Sequence, residues 1–240
     1  MTTIVSGFIS NSNTYRNSDK YYELGVKLLN INVPKIIFVD ELMYAKIKTY
    51  ENEFTKIILY DKAESFLYPY INTESLCNFK VNTDLQSKDT MEYIFVQCNK
   101  TEWIKTAIEL NYFNTNQFVW IDFGIRHVIT SDENFNTYIL NLQNKSYAKV
   151  RIGTIWDLNY VYNTNIYTQI AWYFAGGVFG GDKDLLLAFS DKMKTQCIKL
   201  ITEKQTIMWE TNMWYLIYLE NRELFDGYAC NHNDSIIDNY

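Results

Sequence analysis

The chain has 240 residues, a net charge of −6 and a pI near 5.0, with 48% hydrophobic and 17% aromatic residues. This is the composition of a folded chain with a sizeable core and not of a disordered one. No cluster of lysine or arginine appears, which argues against binding nucleic acid or an anionic membrane through charge.

At this length a single domain is expected. The opening residues, MTTIVSGFIS, lack the basic segment and long apolar run of a secretory signal. The longest uncharged apolar run, residues 170–179, is about half of a membrane span. Cys77, Cys98, Cys197 and Cys230 are scattered with no CxxC pair. Reduced thiols in a cytoplasmic protein are expected, not a disulfide frame or a zinc site.

Residues 3–9 form a β-branched run that reads as a strand, and the polar stretch SNSNTYRNS, residues 10–18, reads as a loop. Residues 19–29 place Tyr22, Val26 and Leu29 on helical spacing. A second strand, 35–39, ends at Asp40 and precedes a helix over 41–50. A third, 56–60, ends at Asp61, and residues 75–89 are polar without a clear period. Residues 101–110 read as a helix carrying Trp103, Ile104, Ala107 and Ile108. Then comes FVWIDFGIRH, residues 118–127, a bulky strand that stops at Asp122 with Gly124 two residues on.

Alternating strands and helices predict a parallel sheet covered on both faces. Ligands bind such sheets outside the carboxyl ends of the strands, where Asp40, Asp61 and Asp122 fall. Each has the alternative of capping the helix that follows. That alternative is weakest for Asp122, because Phe123 and Gly124 open no helical pattern.

In the second half, FAGGVFGG, residues 174–181, pairs glycines inside an apolar strand, which means a bulge or a close backbone approach. A phosphate at the start of the next helix, residues 182–204, is disfavoured by Asp182 and Asp184, which read as cap and dipole partner. Room for a sugar or an acceptor hydroxyl is the better reading, and a tight sheet bend is the alternative. Glu210 lies on an apolar helix beside Trp209, Met213 and Trp214, so it is paired, protonated or facing a cleft, unless that face is solvated. His232 falls in a polar turn before an expected terminal strand, as a ligand or as an ordinary surface or core side chain.

Seven stretches in this order resemble the HtrL/YibB family over nearly the whole chain. They are IVSGF, KIIFVD, NKTEWIKTAIELNYFN, FVWIDFGIRH, AGGVFGG, WETNMW and the closing His232 with NY. These are bacterial proteins related to sugar-transferring enzymes of cell-surface polysaccharide synthesis. The resemblance implies a GT-A-type α/β fold: one domain with a mixed, mostly parallel, Rossmann-like sheet flanked by helices. Residues 1–128 would bind a nucleotide sugar and residues 129–240 the acceptor. The implied activity is a metal-assisted glycosyltransferase that moves a sugar from a nucleoside-diphosphate sugar, foremost a UDP-sugar, to a glycan or polysaccharide acceptor. The implied location is the cytoplasm, or a membrane periphery reached through the acceptor.

Carried over residue by residue, the implied donor-binding positions are Ser6, Gly7, Phe8, Asp40, Lys100, Asp122, Gly124, Gly176 and Gly177. Lys100 resembles the basic residue on the donor phosphates, the alternative being an exposed lysine at a helix start. Asp122 resembles the first acid of an Asp-x-Asp motif that holds manganese or magnesium, directly or through water. Gly124 replaces the second acid, and His232 is the candidate for the missing ligand. Glu210 matches an acid facing the reacting sugar, a catalytic group beside Asp122 that orients the donor or acts as a base. Gly124 also keeps a second reading open: a catalytically inactive transferase-fold protein that binds a nucleotide sugar or serves as a scaffold.

Overall fold

Strand β1 (Thr2–Phe8), helix α1 (Ser18–Leu29), strand β2 (Lys35–Val39), helix α2 (Glu41–Ile47) and strand β3 (Thr55–Leu59) follow one another as the apolar periods predict. The computed structural model describes residues 1–10, 17–71 and 73–240. Most of the loop expected at 10–18 therefore lies outside the described residues. Local side chains set the helix starts. Asn17 accepts a hydrogen bond from the Lys20 N–H, and Asp40 from the Met43 N–H.

The chain continues through α3 (Met91–Cys98), α4 (Lys100–Leu110), β4 (Gln117–Ile121), α5 (Asp132–Asn141) and β5 (Val150–Thr154). It ends with β6 (Phe174–Asp182), α6 (Lys183–Lys204), α7 (Glu210–Glu220), β7 (Phe225–Ala229) and α8 (Ser235–Asp238). All seven strands join one sheet in the order β3-β2-β1-β4-β6-β5-β7. The pairs β1–β2, β2–β3, β1–β4 and β5–β7 are parallel, whereas β6 runs antiparallel to both β4 and β5. This is the mixed, mostly parallel sheet flanked by helices that the family resemblance implies.

Helices cover both faces, so the central strands are apolar throughout instead of alternating. On one face Val5, Phe38, Trp120 and Phe179 pack with Trp103, Phe189 and Trp214 of α4, α6 and α7. On the other, Ile4, Ile37, Val119 and Val178 meet Leu28, Met43 and Phe135 of α1, α2 and α5. A row of rings, Phe38–Trp103–Trp120–Phe179, crosses the first face with centroids 5.6–6.5 Å apart. Lys35 is fully buried and donates to the Ile31 and Val33 carbonyls and to Thr55 Oγ1. Burial pulls its pKa down to about 8.

The structure departs from expectation in the last third. After His232 the chain forms the short helix α8 and not a strand. β5 and β7, VRIGT and FDGYA, carry a charge and a glycine each and show no clear apolar period, yet both are paired. The second glycine pair of β6 serves the sheet itself. A Cβ at Gly180 would collide with the Phe118 carbonyl, and Gly181 has φ +145° with the Lys149 carbonyl against it. Asp182 caps α6 and Asp184 lies in its first turn, as read from the sequence. The four cysteines are free.

Candidate functional site

A cavity of about 640 Å³ opens at the carboxyl ends of β1 and β4 and the amino end of β6. β1 contributes Gly7 and Phe8, and the aromatic row below supplies a floor through Trp103 and Trp120. Gly7 lets that row approach, since a Cβ there would stand 2.9 Å from the Trp103 ring. Asp122 follows β4 directly. Its N–H extends the ladder to the Gly177 carbonyl at 3.0 Å, which aims the side chain out of the sheet edge.

Three charged residues meet in the wall. Asp122 Oδ1 accepts from Trp120 Nε1 at 2.7 Å and from Lys100 Nζ at 2.9 Å. Lys100, the first residue of α4, also donates to Glu210 Oε1 at 2.9 Å and to the Gly176 carbonyl at 3.0 Å. Burial alone would lower the pKa of Lys100, but the carboxylates of Asp122 and Glu210 outweigh it and hold that pKa above that of a free lysine. Glu210 begins α7, where the helix dipole favours a carboxylate. Its side chain is 7% exposed, against 36% for Asp122. Two acids share one ammonium.

His232 and Gly124 line the same cavity as Asp122, Lys100, Glu210, Gly176 and Gly177. His232 packs edge-on against Trp172 with centroids 4.4 Å apart. Burial, aided by the charge of Lys88, lowers its pKa, so the ring is neutral at pH 7. The fold thus brings Asp122 and His232 to one cavity from positions 110 residues apart.

Several of the expected donor positions stand away from the cavity or against other partners. Asp40 is not among the residues that line the cavity; its two oxygens accept from the Met43 and Ser10 N–H groups, so it caps α2 and tethers Ser10. Ser6 is buried inside β1, away from the cavity. Lys100 is buried and is not an exposed helix-start lysine. An ammonium has three donors, and all three are spent on Asp122, Glu210 and Gly176. Gly176 makes room for Glu210, since a Cβ would fall on Glu210 Oε1. A Cβ at Gly177 would meet Ile125 Cδ1 at 2.8 Å and Ile236 Cδ1 at 3.0 Å, so this glycine admits those two side chains.

Other lining residues escaped the sequence reading. Lys88 places a cation on the wall, with Nζ 5.3 Å from the Tyr93 ring centroid. It comes from the polar segment that had no readable period. Trp103 Nε1 and Thr211 Oγ1 are buried polar atoms without a hydrogen-bond partner, on residues that line the cavity. No local signal marks them, because burial and lost partners are properties of the fold.

Among the described residues no three acid, histidine or cysteine side chains gather as a metal site. Asp122 Oδ2 has no hydrogen-bond partner there and is the hard oxygen left available. Magnesium and manganese commonly take one or two carboxylates and complete their shell with substrate phosphates and water. The donor set fits a cation of that substrate-completed kind and does not fit an all-protein cage.

The fold and cavity define an α/β protein whose acidic, partly aromatic site sits at the strand ends of a mixed sheet. The model of the family described as "Bacterial protein of unknown function (HtrL_YibB)" matches residues 1–234, and the chain belongs to that family. No curated protein matches the chain in sequence. Similar solved structures include mouse xyloside xylosyltransferase 1 in its apo form, 13% identical, covering 96% of this chain and 86% of that one with a TM-score of 0.46. Another is 4-diphosphocytidyl-2C-methyl-D-erythritol synthase of Anaerococcus prevotii DSM 20548, at 9% identity, 97% and 88% coverage and a TM-score of 0.45. At these scores the likenesses carry no argument about chemistry, which rests on the residues of this chain.

Proposed function

We propose that the chain is a glycosyltransferase that moves a sugar from a nucleoside-diphosphate sugar, foremost a UDP-sugar, to a glycan acceptor. The carrying observation is the Asp122–Lys100–Glu210 cluster in the wall of a cavity of about 640 Å³ at the strand ends. That volume lies within the range of pockets that enclose small ligands, about 300–1,000 Å³. The first half of the chain, residues 1–128, seats the donor and the second half, residues 129–240, the acceptor. Gly7 and Phe8 border the donor, and Lys88, in place of Lys100, faces its diphosphate.

Glu210 stands over the reacting sugar. It accepts a hydrogen bond from the incoming hydroxyl, or its proton, as the new C–O bond forms and the bond from sugar to diphosphate breaks. Lys100 contacts no substrate and works as a positioning residue that fixes Glu210 and Asp122. Asp122 Oδ2, with His232 nearby, would hold manganese or magnesium. When bound, such a cation neutralises charge on the departing nucleoside diphosphate.

Calorimetry with UDP and manganese, with and without chelator, tests this reading together with a donor-hydrolysis assay. The expected result is metal-dependent binding that Asp122→Ala removes, with slow donor hydrolysis. Equal affinity under excess chelator refutes the metal bridge. Binding without any turnover favours the second reading, an inactive nucleotide-sugar-binding or scaffold protein, for which the missing acid at Gly124 speaks. No binding of any nucleoside diphosphate refutes both.

A further inference from the structure

A second hollow, about 340 Å³, lies at the carboxyl end of β5, away from the acidic cluster. Residues 156–159 form one side of it and begin the segment 155–173, which is anchored at both ends by N–H bonds from Ile155 and Trp156 to the Tyr173 and Trp172 carbonyls. Aromatic contacts stiffen that segment. Trp156 lies tilted against Tyr162 with centroids 4.5 Å apart, and Tyr173 lies flat on Tyr215 of α7 at 3.7 Å and 1°. The same segment lines the first cavity with Ile170 and Trp172.

The hollow presents ring faces and two opposite charges that are not paired with each other. Trp156 and Tyr218 supply the rings. Arg222 sits over the Tyr218 ring at 5.5 Å and makes no ion pair among the described residues. Asp157 accepts at Oδ1 from the Asn159 N–H and side-chain amide and lines the hollow. On the β7 side, Gly227 lines the hollow, and a Cβ there would stand 3.0 Å from Thr154 Cγ2. A planar guanidinium donor, a carboxylate acceptor and aromatic faces match a molecule with apolar ring faces and equatorial hydroxyls. One cation and one carboxylate in the lining sum to no net charge, which favours a neutral molecule.

Helix α7 links the two places. Glu210 and Thr211 line the first cavity and Tyr218 the second, eight residues apart. At 1.5 Å per residue that is about 12 Å along the axis, a distance an oligosaccharide spans and a single sugar does not.

We infer that this hollow is a second carbohydrate subsite, which holds a neutral pyranose unit of the acceptor glycan remote from the reacting hydroxyl. The inference rests on the glycosyltransferase reading for the word acceptor, and on the hollow itself for the carbohydrate. The full chain is tested on an array of neutral, acidic and phosphorylated oligosaccharides. Calorimetry then follows with the best neutral one, beside UDP with manganese. Arg222→Ala and Asp157→Ala change exposed side chains, and Gly227→Phe fills the hollow.

The expected result is binding of a neutral oligosaccharide that each variant weakens by about tenfold or more, with UDP affinity unchanged. No binding anywhere on the array overturns the subsite. So does binding confined to acidic glycans, or neutral binding that none of the variants alters. If the oligosaccharide binds as expected while no nucleoside diphosphate does, the transferase reading falls and the carbohydrate site stands.

Discussion

Replacing Lys100 with Met keeps the length of the side chain and removes the ammonium between Asp122 and Glu210. Both carboxylates lie 2.9 Å from Nζ, but they do not weigh equally. Asp122 is 36% exposed, so water takes over much of its lost partner. Glu210 is 7% exposed and is left as a buried charge without a counter-ion. Breaking one side of a buried pair costs about 3–5 kcal/mol, and the solvated Asp122 argues for the lower end, about 3 kcal/mol. In a domain of this size that lowers Tm by about 6–12 °C. The sign with pH follows from the raised pKa of Lys100. Its contribution is complete below the unfolded value of 10.5 and is lost only as pH rises through the higher folded value. Thermal melts and urea titrations of Lys100→Met, Glu210→Gln and the double variant measure it. The double variant is expected to be more stable than Lys100→Met alone, because the orphan charge is gone. A Tm within about 2 °C of the parent for Lys100→Met, or simple additivity in the double variant, refutes the buried-cluster argument.

Gly177→Val pushes its side chain against Ile125 and Ile236, and the overpacking is expected to cost about 1–3 kcal/mol in urea unfolding; an unchanged midpoint contradicts the packing role. Lys35→Met tests the buried ammonium at the start of β2. Since the folded pKa of Lys35, about 8, lies below the unfolded 10.5, the unfolded chain binds the extra proton between these values. Wild-type stability should therefore gain up to about 1.4 kcal/mol per pH unit across that window relative to the variant, and a flat difference from pH 8 to 10 sinks the assignment. Asp40→Ala removes the α2 cap and the Ser10 tether, with an expected loss of about 0.5–2 kcal/mol in thermal or chemical unfolding; no loss means the cap is idle.

The elements legible in the chain are those whose signals are local. β2 and β4 are short bulky runs. α2 and α6 begin at Asp40 and Asp182, whose side chains reach N–H groups two or three residues on. Asp122 was readable as an acid at a strand end, and the four glycines of FAGGVFGG as places of close approach, because sterics act on the residue itself. What approaches each glycine was not readable. Glu210, Ile125, the Phe118 carbonyl and the Lys149 carbonyl come from other parts of the chain. β5 and β7 lack a period of their own and become strands because neighbours offer them hydrogen bonds. The largest difference is Lys100, which as a sequence is a lysine at a helix start. Its burial and its three spent donors depend on Glu210, 110 positions away, and on Asp122 at the end of β4. Local periodicity and capping therefore determined most elements and the location of an acid at the sheet edge. Only the tertiary structure decided which charges pair, because burial and Coulomb attraction follow distance in space.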